Sequence, residues 1–225
     1  MDAIAFKESV RRHFDERADR YDDDTQRCDT EDFENFRTVI PYLLAKSGTR
    51  VLEVATGSGI VLEMLLNAGK DACGVDFSRG LLEVARVKRN IVAQRLNYED
   101  AERMSFADGS FDSTCIFRSL HHMEDQEAVL HEMTRCASRS VFVYDSAGGW
   151  RRLAKRALQR LRVYDSAYRL ARGHKDTGYR PANETEGPVK VFYAEDAIRV
   201  LRKRGLRIRR TLKLGGSLFI HAEKQ

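Results

Sequence analysis

The sequence predicts an α/β fold: a seven-stranded, mostly parallel sheet with an antiparallel final strand and helices on both faces. Three observations predict it. Short apolar runs alternate with helix-period segments between residues 50 and 145, the pattern of a parallel sheet covered on both sides. The first apolar run ends in a small-residue turn, Ala55-Thr56-Gly57-Ser58-Gly59, that opens directly into a helical segment. The chain closes on two strand-like runs around Gly215-Gly216, which calls for an antiparallel hairpin at one edge.

Each element follows from its own residues. Residues 3–20 place Ile4, Phe6, Val10 and Phe14 at helical spacing, and residues 31–46 do so with Phe33, Phe36, Ile40, Leu43 and Leu44. Pro41 is a candidate kink in the second helix. Strands are expected at Arg50–Ala55, Asp71–Asp76, Ile91–Tyr98, Phe111–Phe117 and Ser140–Asp145. Helices are expected between them at Ile60–Ala68, Leu81–Arg89 and Asp125–Ala137, the last with Ala128, Val129, Met133 and Cys136 inward. Residues 150–172 read as a basic helix, residues 173–190 as a loop rich in Gly, Pro and Thr, and Ala194–Arg204 as the final helix. Leu206–Leu214 and Ser217–Ala222 are the closing strands.

Composition bounds the function. The chain has 225 residues, 39 Lys+Arg against 34 Asp+Glu, and 42% hydrophobic residues. That length favours one domain over 1–225 with a core of its own, needing no disulfide or metal staple. No run approaches the roughly 18 apolar residues of a membrane span. The charged start lacks the apolar stretch of a signal peptide, so the cytosol is the expected compartment. Cys28, Cys73, Cys115 and Cys136 form no metal spacing, and no metal is expected. The charge is lopsided. Residues 1–145 carry 19 basic and 27 acidic side chains, net −8; residues 146–225 carry 20 and 7, net +13.

In a parallel sheet, ligands bind beyond the carboxyl ends of the strands. Three features sit there. Glycines in the first turn allow close backbone approach, and the helix behind it presents free N–H groups. The spacing is not the dinucleotide GxGxxG pattern, and Glu53 precedes Gly57 by four positions. That carboxylate disfavours a pyrophosphate and suits a cationic ligand. Asp76 ends the next strand, about 20 residues on, where an acid can accept from both ribose hydroxyls. The rival reading, a cap for the helix near Gly80, can be filled by Ser78 instead. Asp100-Ala101-Glu102 follows the third strand, where an acid can accept from an exocyclic amine.

These residues in this order resemble class I S-adenosylmethionine-dependent methyltransferases. The resemblance rests on Glu53…Gly57-Ser58-Gly59, Asp76-Phe77-Ser78, Asp100-Ala101-Glu102, Phe111-Asp112 and Leu120-His121-His122. It is strongest to the small-molecule branch that includes ubiquinone/menaquinone-biosynthesis and sugar O-methyltransferases, and it covers about residues 10–145. The segment Phe14–Asp22 resembles that branch's cofactor-capping segment, so residues 1–46 are expected to cap the cofactor and Tyr21 to touch it. The family usually has Gly where this chain has Ala55.

The resemblance implies a Rossmann-like fold, S-adenosyl-L-methionine as cofactor and S-adenosyl-L-homocysteine as product. It implies that Glu53 neighbours the methionine amino group and that Ala55, Gly57 and Gly59 shape the turn. Asp76 would hold the ribose, Phe77 would flank the adenine, and Asp100 with Ala101 would meet its edge. Phe117, Arg118 and His122 would line the cofactor at the end of the fourth strand.

Methyl transfer needs an aligned nucleophile and often a base. Histidine is the natural base near neutral pH. His121 follows the fourth strand, Asp145 ends the fifth, and these strands are neighbours in such a fold, so a His121–Asp145 pair is expected. The expected reaction is methyl transfer to a small molecule, at oxygen. The alternatives are an RNA methyltransferase and a non-catalytic binder of the same fold. The segment 146–190 is expected to be a basic helical lid for an anionic acceptor. Membrane-surface contact through 150–172 ranks second and nucleic acid third.

Overall fold

Apolar runs buried on both faces assemble into one sheet at the centre of the molecule. The computed structural model describes residues 3–23, 30–146 and 194–225. Its strands are β1 (Arg50–Val54), β2 (Asp71–Asp76), β3 (Leu96–Tyr98), β4 (Phe111–Phe117), β5 (Ala137–Ser146), β6 (Leu206–Leu214) and β7 (Ser217–Lys224). Their spatial order is β3-β2-β1-β4-β5-β7-β6. The strands β1 to β5 pair in parallel, and β7 runs antiparallel between β5 and β6. The expected mostly parallel sheet with an antiparallel final strand is therefore what forms.

The described helices are α1 (Ala3–Arg17), α2 (Thr30–Lys46), α3 (Ile60–Asn67), α4 (Arg79–Lys88), α5 (Gln126–Cys136) and α6 (Ala194–Lys203). Alternate strand residues feed two cores, because successive side chains leave a strand on opposite faces. Leu52, Val54, Ile116, Val141 and Val143 join Val129, Leu130 and Met133 of α5 and Val200 and Leu201 of α6. Val51, Cys115, Phe142 and Tyr144 join Val39, Ile40 and Leu43 of α2 and Val61, Leu62 and Leu65 of α3.

Several elements depart from expectation for identifiable reasons. Pro41 lies inside an unbroken helical span, Thr30–Lys46. Ile4 is 82% exposed, and only Phe6 and Val10 are buried on α1. The third strand begins at Leu96, not Ile91: Asn90 turns the chain through φ 52°, Ile91 drops into the core, and Ala93–Arg95 is a 3-10 turn. In contrast β5 is longer than its apolar run, since it pairs with β4 on one side and β7 on the other. Apart from Ser146, the expected basic lid at 146–190, including the segment 150–172, lies outside the described residues.

Candidate active site

The turn after β1 is built around two buried carboxylates. Ala55 adopts φ 54° and Gly57 φ 56°, so the chain folds back sharply at the strand end. Thr56 N–H donates to Val75 O at 2.9 Å, tying the turn to β2. The Thr56 hydroxyl donates to Glu53 Oε2 at 2.5 Å. Burial raises the Glu53 carboxyl to about 8, the Thr56 hydrogen bond opposing. Asp76 sits at the end of β2 and accepts Gly57 N–H on Oδ2 and Ser78 N–H on Oδ1, both at 2.8 Å. Burial pushes Asp76 up to about 6, with the amides of Ser78 and Gly57 pulling down. The α4 cap is Ser78, whose hydroxyl accepts Leu81 N–H, so Asp76 is not the cap.

A cleft of about 350 Å³, counted together with the solvent at its mouth, lies at these strand ends. Of the residues expected to bind a cofactor, Ala55, Asp76, Phe77, Asp100, Ala101 and His122 line it. The turn is open above Gly57, where an added Cβ would meet nothing closer than 3.9 Å; the Tyr21 ring is among those nearest atoms. The remaining residues lie elsewhere. Glu53 is only 3% exposed and sits beneath the turn. Gly59 is a packing residue: at φ 81° its Cβ would stand 2.8 Å from Ile91 Cδ1 and 2.9 Å from Ala85 Cβ. Phe117 is buried edge-on to Phe36 of α2. Arg118, at φ 54°, donates its N–H to Tyr144 O at 2.7 Å. Helix α2 packs on the sheet face, and Asn35 donates to the Tyr144 hydroxyl at 3.0 Å; of the expected capping helices it is α1 that reaches the cleft.

Three cleft residues carry signals no local motif revealed. The Lys7 ammonium on α1 reaches Asp100 Oδ2 at 2.6 Å and Glu102 Oε2 at 2.7 Å. Burial works against the Lys7 charge, but hydrogen bonds to these two carboxylates outweigh it and hold the ammonium above its ordinary range. Met123 and Glu124 complete the far wall. Asp15, within the capping segment, accepts the Ser78 hydroxyl at 2.7 Å and Gly80 N–H at 3.0 Å, fixing the C-terminal half of α1 to the start of α4.

His121 and His122 lie on a 3-10 turn, Leu120–His122, directly after β4. His121 Nδ1 is 2.5 Å from Asp145 Oδ1, and His121 N–H donates to Asp145 Oδ2 at 3.1 Å. Asp145 is fully buried, and the imidazole is nearly so. A carboxylate at Nδ1 places the ring proton there and leaves Nε2 as the free acceptor. The rings of His121 and His122 stand 4.1 Å apart, and Phe14 of α1 meets His122 edge-on at 5.1 Å.

Residues 52–144 match a family described as methyltransferase domain. The chain is 36% identical over 99 residues to the demethylmenaquinone methyltransferase of Renibacterium salmoninarum, which spans 44% of this chain and 41% of that protein. It is 36% identical over 106 residues to a ubiquinone/menaquinone biosynthesis C-methyltransferase of Geotalea uraniireducens, 44% of this chain and 45% of that one. The matched parts thus span less than half the length of these relatives. Among solved structures, magnesium protoporphyrin IX methyltransferase from Synechocystis PCC 6803, with bound SAH, superposes with a TM-score of 0.62 at 18% identity. That superposition covers 87% of this chain and 84% of the other, and it shows a shared fold.

Proposed function

We propose that this chain, which is related to the class I S-adenosylmethionine-dependent methyltransferases of the demethylmenaquinone branch, transfers a methyl group from S-adenosylmethionine to a small hydroxylated, quinol-type molecule. The observation that carries the reading is the cleft at the carboxyl ends of β1, β2 and β3 with the His121–Asp145 pair at its border strand. The residues there fit the cofactor. Asp76 lines the cleft with a carboxyl that can accept a ribose hydroxyl beside the backbone amides it already holds, and Asp100 and Ala101 offer acceptors for an adenine edge. Glu53 lies under the turn, where burial keeps its carboxyl protonated near neutral pH and a cationic amino acid end would draw it back to the charged form.

The bound sulfonium supplies an electrophilic methyl group. The chain's contribution is alignment and removal of a proton. His121 Nε2 would take the hydroxyl proton of the acceptor, whose oxygen would receive the methyl group that S-adenosylmethionine supplies, the carbon–sulfur electron pair leaving with S-adenosylhomocysteine. Asp145 holds the imidazole through Nδ1 and stabilises its protonated form. The acceptor atom is oxygen in this reading. A second reading has the same base generate a phenolate whose ring carbon attacks; it is favoured by the relative named as a C-methyltransferase.

The test is methyl transfer from labelled S-adenosylmethionine to a panel of hydroquinones, phenols and sugars. Titration with S-adenosylhomocysteine runs in parallel. Transfer to a quinol or phenol supports the reading, and the product's methyl carbon shift separates oxygen from carbon. Cofactor binding with no transfer to any hydroxylated acceptor would overturn it.

A further inference from the structure

We propose that Lys7 is the electrostatic latch of a cofactor lid formed by α1, fastened to the carboxylates at the adenine end of the cleft. The inference rests on the cofactor reading above. Lys7 bridges Asp100 and Glu102 from a helix that is distant in sequence, 93 residues from Asp100. Asp100 Oδ1 is held by Glu102 N–H at 2.9 Å, so the lysine takes the other oxygen, Oδ2. One ammonium thereby orients both acids of the loop.

The two ends of α1 are attached differently. Its C-terminal half is pinned by Asp15 to Ser78 and Gly80, and Ala18 seats against Gly80. Just beyond, Asp22 pairs with Arg89 at 2.8 Å, both about 11% exposed. Lys7 lies eight residues before Asp15, about 12 Å along the helix. Phe6 and Val10 on either side of it are buried, and beyond them Ile4 points into solvent. The Lys7 and Asp100 side chains are 31% and 43% exposed. The Lys7–Asp100 pair, this close to water, is weak and salt-screened, while Glu102, 13% exposed, is the more sheltered partner. The geometry is that of a helix fixed by hydrogen bonds at the α4 end, seated by Phe6 and Val10 in its other half, and fastened at its cleft edge by a breakable charge contact. Opening lets the cofactor in or out, and closure restores the loop's orientation.

The experiment is stopped-flow release of a fluorescent S-adenosylhomocysteine analogue from the full chain between 50 mM and 500 mM NaCl, about 14 to 4 Å of Debye length. For the unaltered chain, release should accelerate about three- to tenfold across that range. Lys7→Met should release the analogue that fast at low salt already, with no further salt effect, and Lys7→Arg should recover the salt-dependent behaviour. A purely structural lysine would lower the unfolding midpoint of ligand-free Lys7→Met and leave the salt dependence of release unchanged. That result overturns the latch, as does salt-independent release from the unaltered chain, which needs no variant. An unaltered chain that binds no analogue overturns the cofactor reading as well, so the two failures are distinguishable.

Discussion

His121 and Asp145 make two hydrogen bonds to each other, one from the ring at 2.5 Å and one from the backbone at 3.1 Å. The double contact fixes both where the imidazole sits and how it is turned. His121→Ala should therefore lower kcat about 10²- to 10⁴-fold and change the dissociation constant of S-adenosylhomocysteine by less than about threefold. Asp145→Asn should lower kcat while KM for the acceptor stays put, because it disturbs tautomer and orientation and not acceptor binding. Steady-state kinetics with calorimetry separates the two parameters.

Ala55 holds a left-handed conformation at φ 54°, where an L side chain is strained by about 1 to 2 kcal/mol. Ala55→Gly relieves that strain but adds freedom to the unfolded chain. The net expectation is a gain of up to about 1 kcal/mol in urea unfolding and tighter cofactor binding, since the methyl lines the cleft. Ala55→Val should do the opposite on both counts, as a β-branched residue tolerates this conformation worst.

Glu53 titrates at about 8 in the fold against an ordinary value near 4.5, chiefly through burial. The folded state thus holds a proton that the unfolded state has already lost between those values. Stability falls as pH rises through that window, with a limiting slope of about 1.4 kcal/mol per pH unit. Glu53→Gln has no such proton. The variant should gain on the unaltered chain between pH 5 and 8 in denaturant melts, and most above pH 7. Asp76, raised from 3.8 to about 6, adds a loss in the same direction over the lower and narrower window between those values, and that loss survives in the variant.

Asp112 fastens the start of β1 to the start of β4. Its Oδ2 accepts the N–H groups of Thr49 and Arg50 at 2.8 and 2.9 Å, and its Oδ1 meets the Arg50 guanidinium at 3.1 Å. Arg50 N–H leads the interactions that hold its carboxyl below the ordinary range. Asp112→Ala should cost about 1 to 2 kcal/mol with kcat unchanged. The loss should vanish in acid, as the native carboxylate is protonated and its advantage fades.

Much of the fold could be read locally. The five parallel strands, the closing hairpin and most helices follow from runs whose period and length are properties of neighbouring residues. The acids at strand ends, Asp76 and Asp100, follow from the same logic, because a strand end in a parallel sheet is a known address. His121 and Asp145 were legible for that reason too: adjacent strands bring their ends together. Gly59 and Phe117 are closely packed in the fold, against Ala85 and Ile91 and against Phe36, contacts that no local pattern announces, because a small or aromatic residue near a strand end serves packing as readily as binding. Only the assembled fold shows which neighbour fills the space.

The sequence by itself determined the sheet, the turn after β1 and the acids along its carboxyl edge, since these depend on local pattern and strand alternation. The tertiary structure decided what each side chain faces. It put Glu53 under the turn and not in the cleft, left Ile4 in water, and carried Lys7 across the molecule to Asp100. No periodicity records that last contact, because a helix packed against a sheet places its charges by docking angle and not by spacing along the chain.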